Sequence, residues 1–255
     1  LMDRMHEKHP EVIFLAEAFT RPEMMQGLGT VGYQLSYTYF TWRTTKEELT
    51  EYATELAEAW SPMYRPSFWV NTPDINPFHL QSGNRAAFAI RAVLAATMSP
   101  SWGVYSGFEL FEHEALAPGR EEYLDSEKYQ FRPRDFSAQP NLVPLISKLN
   151  QIRRDHRALQ QVRRIVFHRT TDERLLAFSK IDGDSHVLVV ASLDPHDEVI
   201  GEVGIDMAEL GLGPRALLRV TDELADVGTL TWGTHNYARM TPDRPAHIFS
   251  VEPLE

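Results

Sequence analysis

The sequence predicts an α/β unit over residues 1–160, read as half of a (β/α)8 barrel, followed by an antiparallel β-sandwich over residues 161–255. Three observations predict it. Strand-like and helix-like patterns alternate up to about residue 160, as parallel strands joined by crossover helices do. Beyond that point short strands recur between turn signals, and no helical pattern of any length appears. The 255 residues, 43% hydrophobic and 24% charged, have a globular composition and suffice for between one and two domains at roughly 150 residues each.

Each element has its own signal. Residues 12–16 are a short apolar run of the fully buried kind, and 34–40 is β-branched and aromatic. Between them a brief helical turn follows Pro22. Thr45 and Glu48 form a capping box, behind which Leu49, Tyr52, Ala53, Leu56 and Trp60 recur at helical spacing. Residues 67–71 are the next strand, closed by Pro73. Residues 85–98 are apolar almost all round and interrupted by Arg91, which predicts a buried helix whose one charge has a partner. Residues 102–105 form a fourth strand. Residues 141–159 form a last helix with Arg153, Arg154 and Arg157 suited to its C-terminal dipole. The second region has predicted strands at 165–168, 175–180, 187–192, 199–203, 216–220 and 247–251, with a hairpin turn at Asp182-Gly183. Half a barrel leaves two unpaired parallel edges and an apolar interior open to water. The sequence is therefore expected to be the C-terminal part of a longer protein whose upstream half completes the barrel.

The net charge of −11 argues against broad electrostatic capture of nucleic acid or an anionic membrane. It leaves room for a small phosphorylated substrate, which two or three local donors can hold. The absence of cysteine excludes a disulfide framework, a thiolate metal site and a cysteine nucleophile together. The absence of cysteine also fits a reducing cytosol, and no run approaches the ~18 apolar residues of a membrane span, so a soluble, cytoplasmic protein is expected.

Two carboxylates carry the chemistry. Glu17 ends the 12–16 strand, where apolar neighbours would raise its pKa and let it hold a proton as a general acid. The bland alternative is a rim glutamate paired with Arg21. Asp74 follows the 67–71 strand and, alone, reads as a turn or cap after proline. If both strands share one barrel, Glu17 and Asp74 converge on its mouth, and paired carboxylates there point to glycosyl chemistry. Trp42, Trp69, Trp102, Tyr37 and Tyr39 could furnish stacking platforms for sugar rings, although strand aromatics are commonly core. The histidines, including His6, His9, His79 and His113, show no ligand spacing. Gly27-Leu-Gly29 lacks the strand-turn-helix setting of a phosphate loop.

Three motifs occur in order: Leu15-Ala16-Glu17-Ala18, the stretch from 68 to Asp74, and Gly103-Val-Tyr105-Ser-Gly107-Phe-Glu109. They resemble the strand-five, strand-seven and post-strand-eight motifs of the α-amylase superfamily, glycoside hydrolase family 13. Pro73 stands where most hydrolases of that superfamily have histidine. Asn71-Thr-Pro-Asp74, with 16–22, 36–42 and Glu122-Tyr-Leu-Asp-Ser-Glu-Lys-Tyr129, instead resembles its maltose 1-phosphate-dependent maltosyltransferase (GlgE) subfamily over essentially the whole chain.

The resemblance implies strands five to eight of a (β/α)8 TIM barrel and a retaining transferase. It would move maltosyl units from α-maltose 1-phosphate to α-1,4-glucans without metal or organic cofactor. It implies Glu17 as acid/base, Asp74 as transition-state stabiliser, and Lys128 and Tyr129 as ligands of donor hydroxyls. Glu109 and Tyr105 are expected to support their loop. Strand four, which carries the family's aspartate nucleophile, would precede residue 1, so no residue of this chain takes that role and the chain alone is expected to be inactive. The expected partners are the N-terminal half of the same enzyme and a second copy in a homodimer. Two rivals stand beside it: a superfamily hydrolase or trehalose-forming isomerase that uses the same carboxylates, and a catalytically silent module that holds glucan on residues 161–255, with the barrel half only a scaffold.

Overall fold

The computed structural model describes residues 2–128, 131–225 and 228–254. Its first part runs α1 (Met2–His6), β1 (Leu15–Ala16), α2 (Pro22–Thr30), β2 (Leu35–Tyr37), α3 (Lys46–Glu55), β3 (Pro66–Trp69), α4 (Arg85–Met98), β4 (Ser101–Gly103) and α5 (Val143–Asp155). The four strands form one parallel sheet in the order β1-β2-β3-β4, with Leu15 opposite Leu35, Ser36 opposite Pro66 and Phe68 opposite Trp102.

The strands are shorter than their sequence patterns. The 12–16 run is not fully buried: Ile13 is 65% exposed and Leu15 41%, because β1 is an outer strand with β2 as its only neighbour among the described residues. The 34–40 strand stops at Tyr37. There the Thr38 hydroxyl accepts the Phe40 amide and starts a 3₁₀ turn at Tyr39–Trp42. The capping box of α3 forms as predicted. Thr45 Oγ1 accepts the Glu48 amide at 3.2 Å, and the Glu48 carboxylate accepts the amides of Thr44 and Thr45. Those two amides hold the Glu48 carboxyl below the usual range.

Helix α4 is the buried helix the sequence predicts, and Arg91 has its partners. Its guanidinium, 3.9 Å from the Phe40 ring centre, donates to the carbonyls of Arg43 (2.7 Å) and Phe40 (2.6 Å), and burial pushes its pKa down to about 9. Arg153 does not serve its own helix end alone. It reaches the C-terminal end of α4, donating to the carbonyls of Ala96, Ser99 and Pro100.

The second part carries β5 (Ile165–Thr170), β6 (Leu175–Asp182), β7 (Ser185–Ser192), β8 (Val199–Gly204), β9 (Leu217–Asp222), β10 (Thr229–Trp232), β11 (His235–Met240) and β12 (Ala246–Leu254). These form one hydrogen-bonded antiparallel sheet of eight strands, ordered β10-β9-β12-β7-β6-β5-β8-β11, where the sequence suggested two facing sheets. The link is β5. Its residues up to His168 pair with β6, whereas Arg169 and Thr170 pair with β8. The sheet thus turns a corner, and β8 and β11 share a core with β6, β7 and β9.

Strands β6 and β7 read as continuous apolar runs because both their faces are covered. Leu176, Phe178, Val187, Val189 and Ala191 pack into the core around α4. Leu175, Ala177, Leu188 and Val190 face the core enclosed by the sheet itself. Strands β10 and β11, half polar in sequence and placed at the two outer edges, have no continuous apolar run comparable to these. The junction is fixed by Lys180, fully buried in β6, whose ammonium donates to the carbonyls of Gln161 (2.8 Å) and Val162 (3.2 Å). Burial pushes that ammonium down to about 7.

Candidate active site

All four strands of the parallel sheet end on one side, and the predicted site residues follow those ends. Glu17 comes directly after β1 and Asp74 lies beyond the end of β3. Asp74 sits in a tight turn in which Thr72 and Ile75 exchange backbone hydrogen bonds of 3.0 and 3.1 Å, and the Thr72 hydroxyl accepts the Asp74 amide at 3.1 Å. The turn leaves the carboxylate half exposed and paired with the Lys128 ammonium. Two of the four predicted site residues are therefore in direct contact. Tyr129 lies outside the described residues.

Glu17 departs from expectation in its surroundings. It is exposed, so the apolar burial expected around it is not provided by this chain. The pairing with Arg21 does not form among the described residues either. What lies near it is aromatic: Tyr37 is pushed up to about 12 by its burial and by the Glu17 charge. Tyr37 stacks on Trp69 at 4.6 Å, and Phe19 meets Tyr37 and Trp42 edge-on at 6.0 and 5.0 Å. Of the five proposed stacking aromatics, Trp102 packs against the core and donates to Asn150 Oδ1, and Tyr37 is itself buried. Tyr37, Tyr39, Trp42 and Trp69 gather at the strand ends.

The post-β4 motif has a structural reason at each position. A Cβ on Gly103 would lie 2.6 Å from the Trp69 indole. The Tyr105 amide donates to Asn71 Oδ1 at 2.8 Å, and its hydroxyl accepts the Glu127 amide at 3.0 Å. Gly107, at φ +101°, is pressed against the Glu112 carboxylate. Glu109 accepts the Gly107 amide at 3.0 Å. Tyr105 and Glu109 thus hold the loop, as expected. The glycine pair 27/29 also has a packing role, since Gly29 lies directly against the Met63 carbonyl.

Sequence reading missed the frame beneath these residues. Asn71 is buried and, besides accepting from Tyr105, donates to the Tyr123 hydroxyl at 2.7 Å. Arg134 has a side chain 4% exposed, donates to Glu112 at 2.9 and 3.1 Å and to Glu127 at 2.6 Å, and lies 5.5 Å over the Tyr105 ring. Its burial opposes charge, but the hydrogen bonds to Glu112, Glu127 and Tyr105 prevail and raise its pKa. Nothing local distinguishes it from Arg132, whose side chain is 34% exposed, so no sequence pattern could have picked it out. Among the described residues no group of three or more His, Asp or Glu is placed to hold a metal ion. No helix there is long and apolar enough to cross a membrane.

Comparison with known proteins agrees with the motifs. Residues 167–251 match the family model described as GLGE, C-terminal. The chain is 53% identical over 247 residues to α-1,4-glucan:maltose-1-phosphate maltosyltransferase 2 of Streptomyces coelicolor, which covers 95% of this chain and 37% of that protein. It is 52% identical to the maltosyltransferase of Corynebacterium glutamicum, over 100% of this chain and 38% of that one. Against that of Mycobacterium tuberculosis the values are 49%, 95% and 35%. In fold it resembles an α-amylase from Geobacillus thermoleovorans in complex with acarbose, with TM-score 0.73 and 12% identity over 98% of this chain and 56% of the other. It also resembles the cyclomaltodextrin glucanotransferase CldA, with TM-score 0.71 and 13% identity over 100% and 53%. The chain spans well under half the length of these curated maltosyltransferases. By sequence along nearly all of its own length, it is similar to the C-terminal part of the GlgE maltosyltransferases, and residues 167–251 match their C-terminal domain.

Proposed function

We propose that this chain supplies the C-terminal half of the catalytic barrel, residues 1–160, and a C-terminal β domain, residues 161–255, to a retaining maltosyltransferase. The enzyme extends α-1,4-glucans from α-maltose 1-phosphate and releases phosphate. The observation that carries the reading is the meeting of Asp74 with Lys128 on the side of the parallel sheet where Glu17 also stands. The names of the relatives supply the substrates. In this reading the four parallel strands are strands five to eight, and the exposed flank of β1 receives the upstream half.

Chemistry follows from the groups present. Glu17 gives its proton to the departing phosphate oxygen as the C1–O bond breaks and a carboxylate of the upstream half bonds to C1, about 5–5.5 Å from Glu17 in a retaining pair. In the second step Glu17 takes the proton of the acceptor 4-hydroxyl as that oxygen bonds to C1 and the carboxylate leaves. Asp74 accepts hydrogen bonds from hydroxyls of the sugar at C1 and stabilises its oxocarbenium-like transition state. Lys128 and Tyr129 bind hydroxyls of the donor disaccharide, and the aromatics around Glu17 line the path of the acceptor. The reading further has the enzyme as a cytoplasmic homodimer whose contacts lie mainly upstream.

Phosphate release from α-maltose 1-phosphate by the full-length polypeptide, with and without a maltooligosaccharide, tests this. Acceptor-dependent release is expected, and Glu17→Ala should lower it by roughly 10²- to 10⁴-fold. Hydrolysis of the oligosaccharide without phosphate-dependent transfer would overturn the reading in favour of a hydrolase. Unchanged activity in Glu17→Ala would overturn the role given to that residue.

A further inference from the structure

Lys128 follows the isolated bridge residue Tyr123 in the chain and precedes α5, which starts at Val143. A lysine on a flexible four-carbon stem is held better where the backbone beside it is fixed. On the side that precedes Lys128, a circuit of hydrogen bonds and chain does this. From Asp74 the chain leads back to Asn71, whose Oδ1 accepts the Tyr105 amide at 2.8 Å. The Tyr105 hydroxyl accepts the amide of Glu127, the residue next to Lys128, at 3.0 Å. The Glu127 carboxylate accepts Arg134 Nη1 at 2.6 Å, and the Arg134 guanidinium lies over the Tyr105 ring. Lys128 returns to Asp74 and closes the circuit. Asn71 also donates to Tyr123, so the loop is tied again five residues before Lys128.

Arg134 braces this circuit from outside, holding the Glu127 carboxylate and lying over the Tyr105 ring. Two of its nitrogens engage both oxygens of Glu112 and a third engages Glu127. That is the planar fork only guanidinium offers. Glu112 in turn is seated against Gly107, the φ +101° residue of the post-β4 motif. The guanidinium therefore joins the loop after β4 to the loop that carries Lys128. We infer that Arg134 is a positioning residue for donor recognition: through Glu127 and Tyr105 it sets Lys128 against Asp74. The inference rests on the reading that Asp74 and Lys128 bind the donor sugar, and it adds a specificity determinant outside the groups that touch it.

Arg134→Lys in the full-length polypeptide keeps the charge and removes the fork. The expected result is a KM for α-maltose 1-phosphate raised roughly 10- to 100-fold, the effect of losing charged hydrogen bonds, with the acceptor KM within about twofold of the parent. A donor KM within twofold of the parent, or equal rises for donor and acceptor, would overturn it. Glu127→Gln, a milder change at a partly exposed side chain, should raise the donor KM in the same direction by a smaller factor, which covers the case in which Arg134→Lys folds poorly. A second readout does not depend on turnover. Labelling of Lys128 by an amine-reactive reagent, followed by mass spectrometry, should accelerate several-fold in Arg134→Lys relative to other lysines, and an unchanged rate would overturn the inference. If the parent protein releases no phosphate, the functional reading fails, while the labelling result still decides the role of Arg134.

Discussion

The parallel sheet of residues 15–103 and the antiparallel sheet of residues 165–254 finish their surfaces in opposite ways. The antiparallel sheet turns a corner at β5 and encloses its own core, in which Leu175, Leu188, Val190, Val203 and Leu218 are at most 1% exposed. The parallel sheet leaves Ile13 at 65% and Leu15 at 41% exposure on its first strand, and Glu17, one residue past that strand, stands in solvent. The difference teaches where each region draws its stability. One obtains a closed core from its own residues, and the other shares a core with α3, α4, β6 and β7 while its first strand stays exposed. The proposed catalytic acid lies on the open side, which is where a barrel formed with an upstream half would place its centre.

The largest effect that tests this contrast is on activity. Residues 1–255 alone should release no phosphate from α-maltose 1-phosphate above the rate in buffer, since the proposed function assigns the nucleophile and most phosphate contacts to an upstream half. Turnover by this chain at the rate of the full-length polypeptide would break the contrast outright. Co-purification of the two halves with recovered acceptor-dependent release would sharpen it.

Stability separates the regions next. Leu188, 1% exposed in the enclosed core, should cost about 2–5 kcal/mol when replaced by alanine. Leu15→Ser on the open strand should change the stability of this chain by no more than about 0.5 kcal/mol. Urea unfolding of the two variants reads both. A cost at Leu15 equal to that at Leu188 would mean that the β1 flank is covered in this chain after all. The reverse holds in the full-length polypeptide, where Leu15→Ser should become costly.

Legibility in the sequence followed the same division between local and distant causes. The capping box at Thr45 and Glu48, the buried helix at Arg85–Met98 and the alternation of strands and helices are all set by neighbours within a few residues, and all were readable. Motif and order singled out Glu17 and Asp74, and the resemblance singled out Lys128, which pairs with Asp74. The extents of β1 and β2 were not, because burial at Ile13 and Leu15 depends on what lies beside the sheet and because Thr38 diverts the chain into a 3₁₀ turn. The two edge strands Thr229–Trp232 and His235–Met240 were missed since their residues face solvent as much as core. Arg134 and Asn71 act across separations of 22 and 34 residues respectively, and nothing in a linear pattern encodes that.

The smallest effect concerns buried histidines, and it bears on whether the two regions behave as one body. In the antiparallel sheet His168 and His186 both lie within hydrogen-bond distance of the Ser179 hydroxyl, at 2.8 and 3.0 Å. Burial pushes each down to about 4, helped at His168 by the neighbouring His186. In the parallel region burial and the Arg91 charge push His79 down to about 3. Each folded-state value lies below the ordinary value of 6.5, so between about pH 6.5 and 4 the unfolded chain binds protons that the folded chain does not. Stability is therefore complete above about pH 6.5 and falls as pH drops through that window, by on the order of 1 kcal/mol per pH unit for each histidine. Urea midpoints of the parent at pH 7.5 and 4.5 should differ accordingly, and His168→Gln and His79→Gln should each reduce the difference. Phe178 and Val189 of the antiparallel sheet share a core with α4, so both substitutions should act on a single transition. Two separate transitions, each responding to only one of the variants, would show that the shared core around α4 does not bind the regions into one unit.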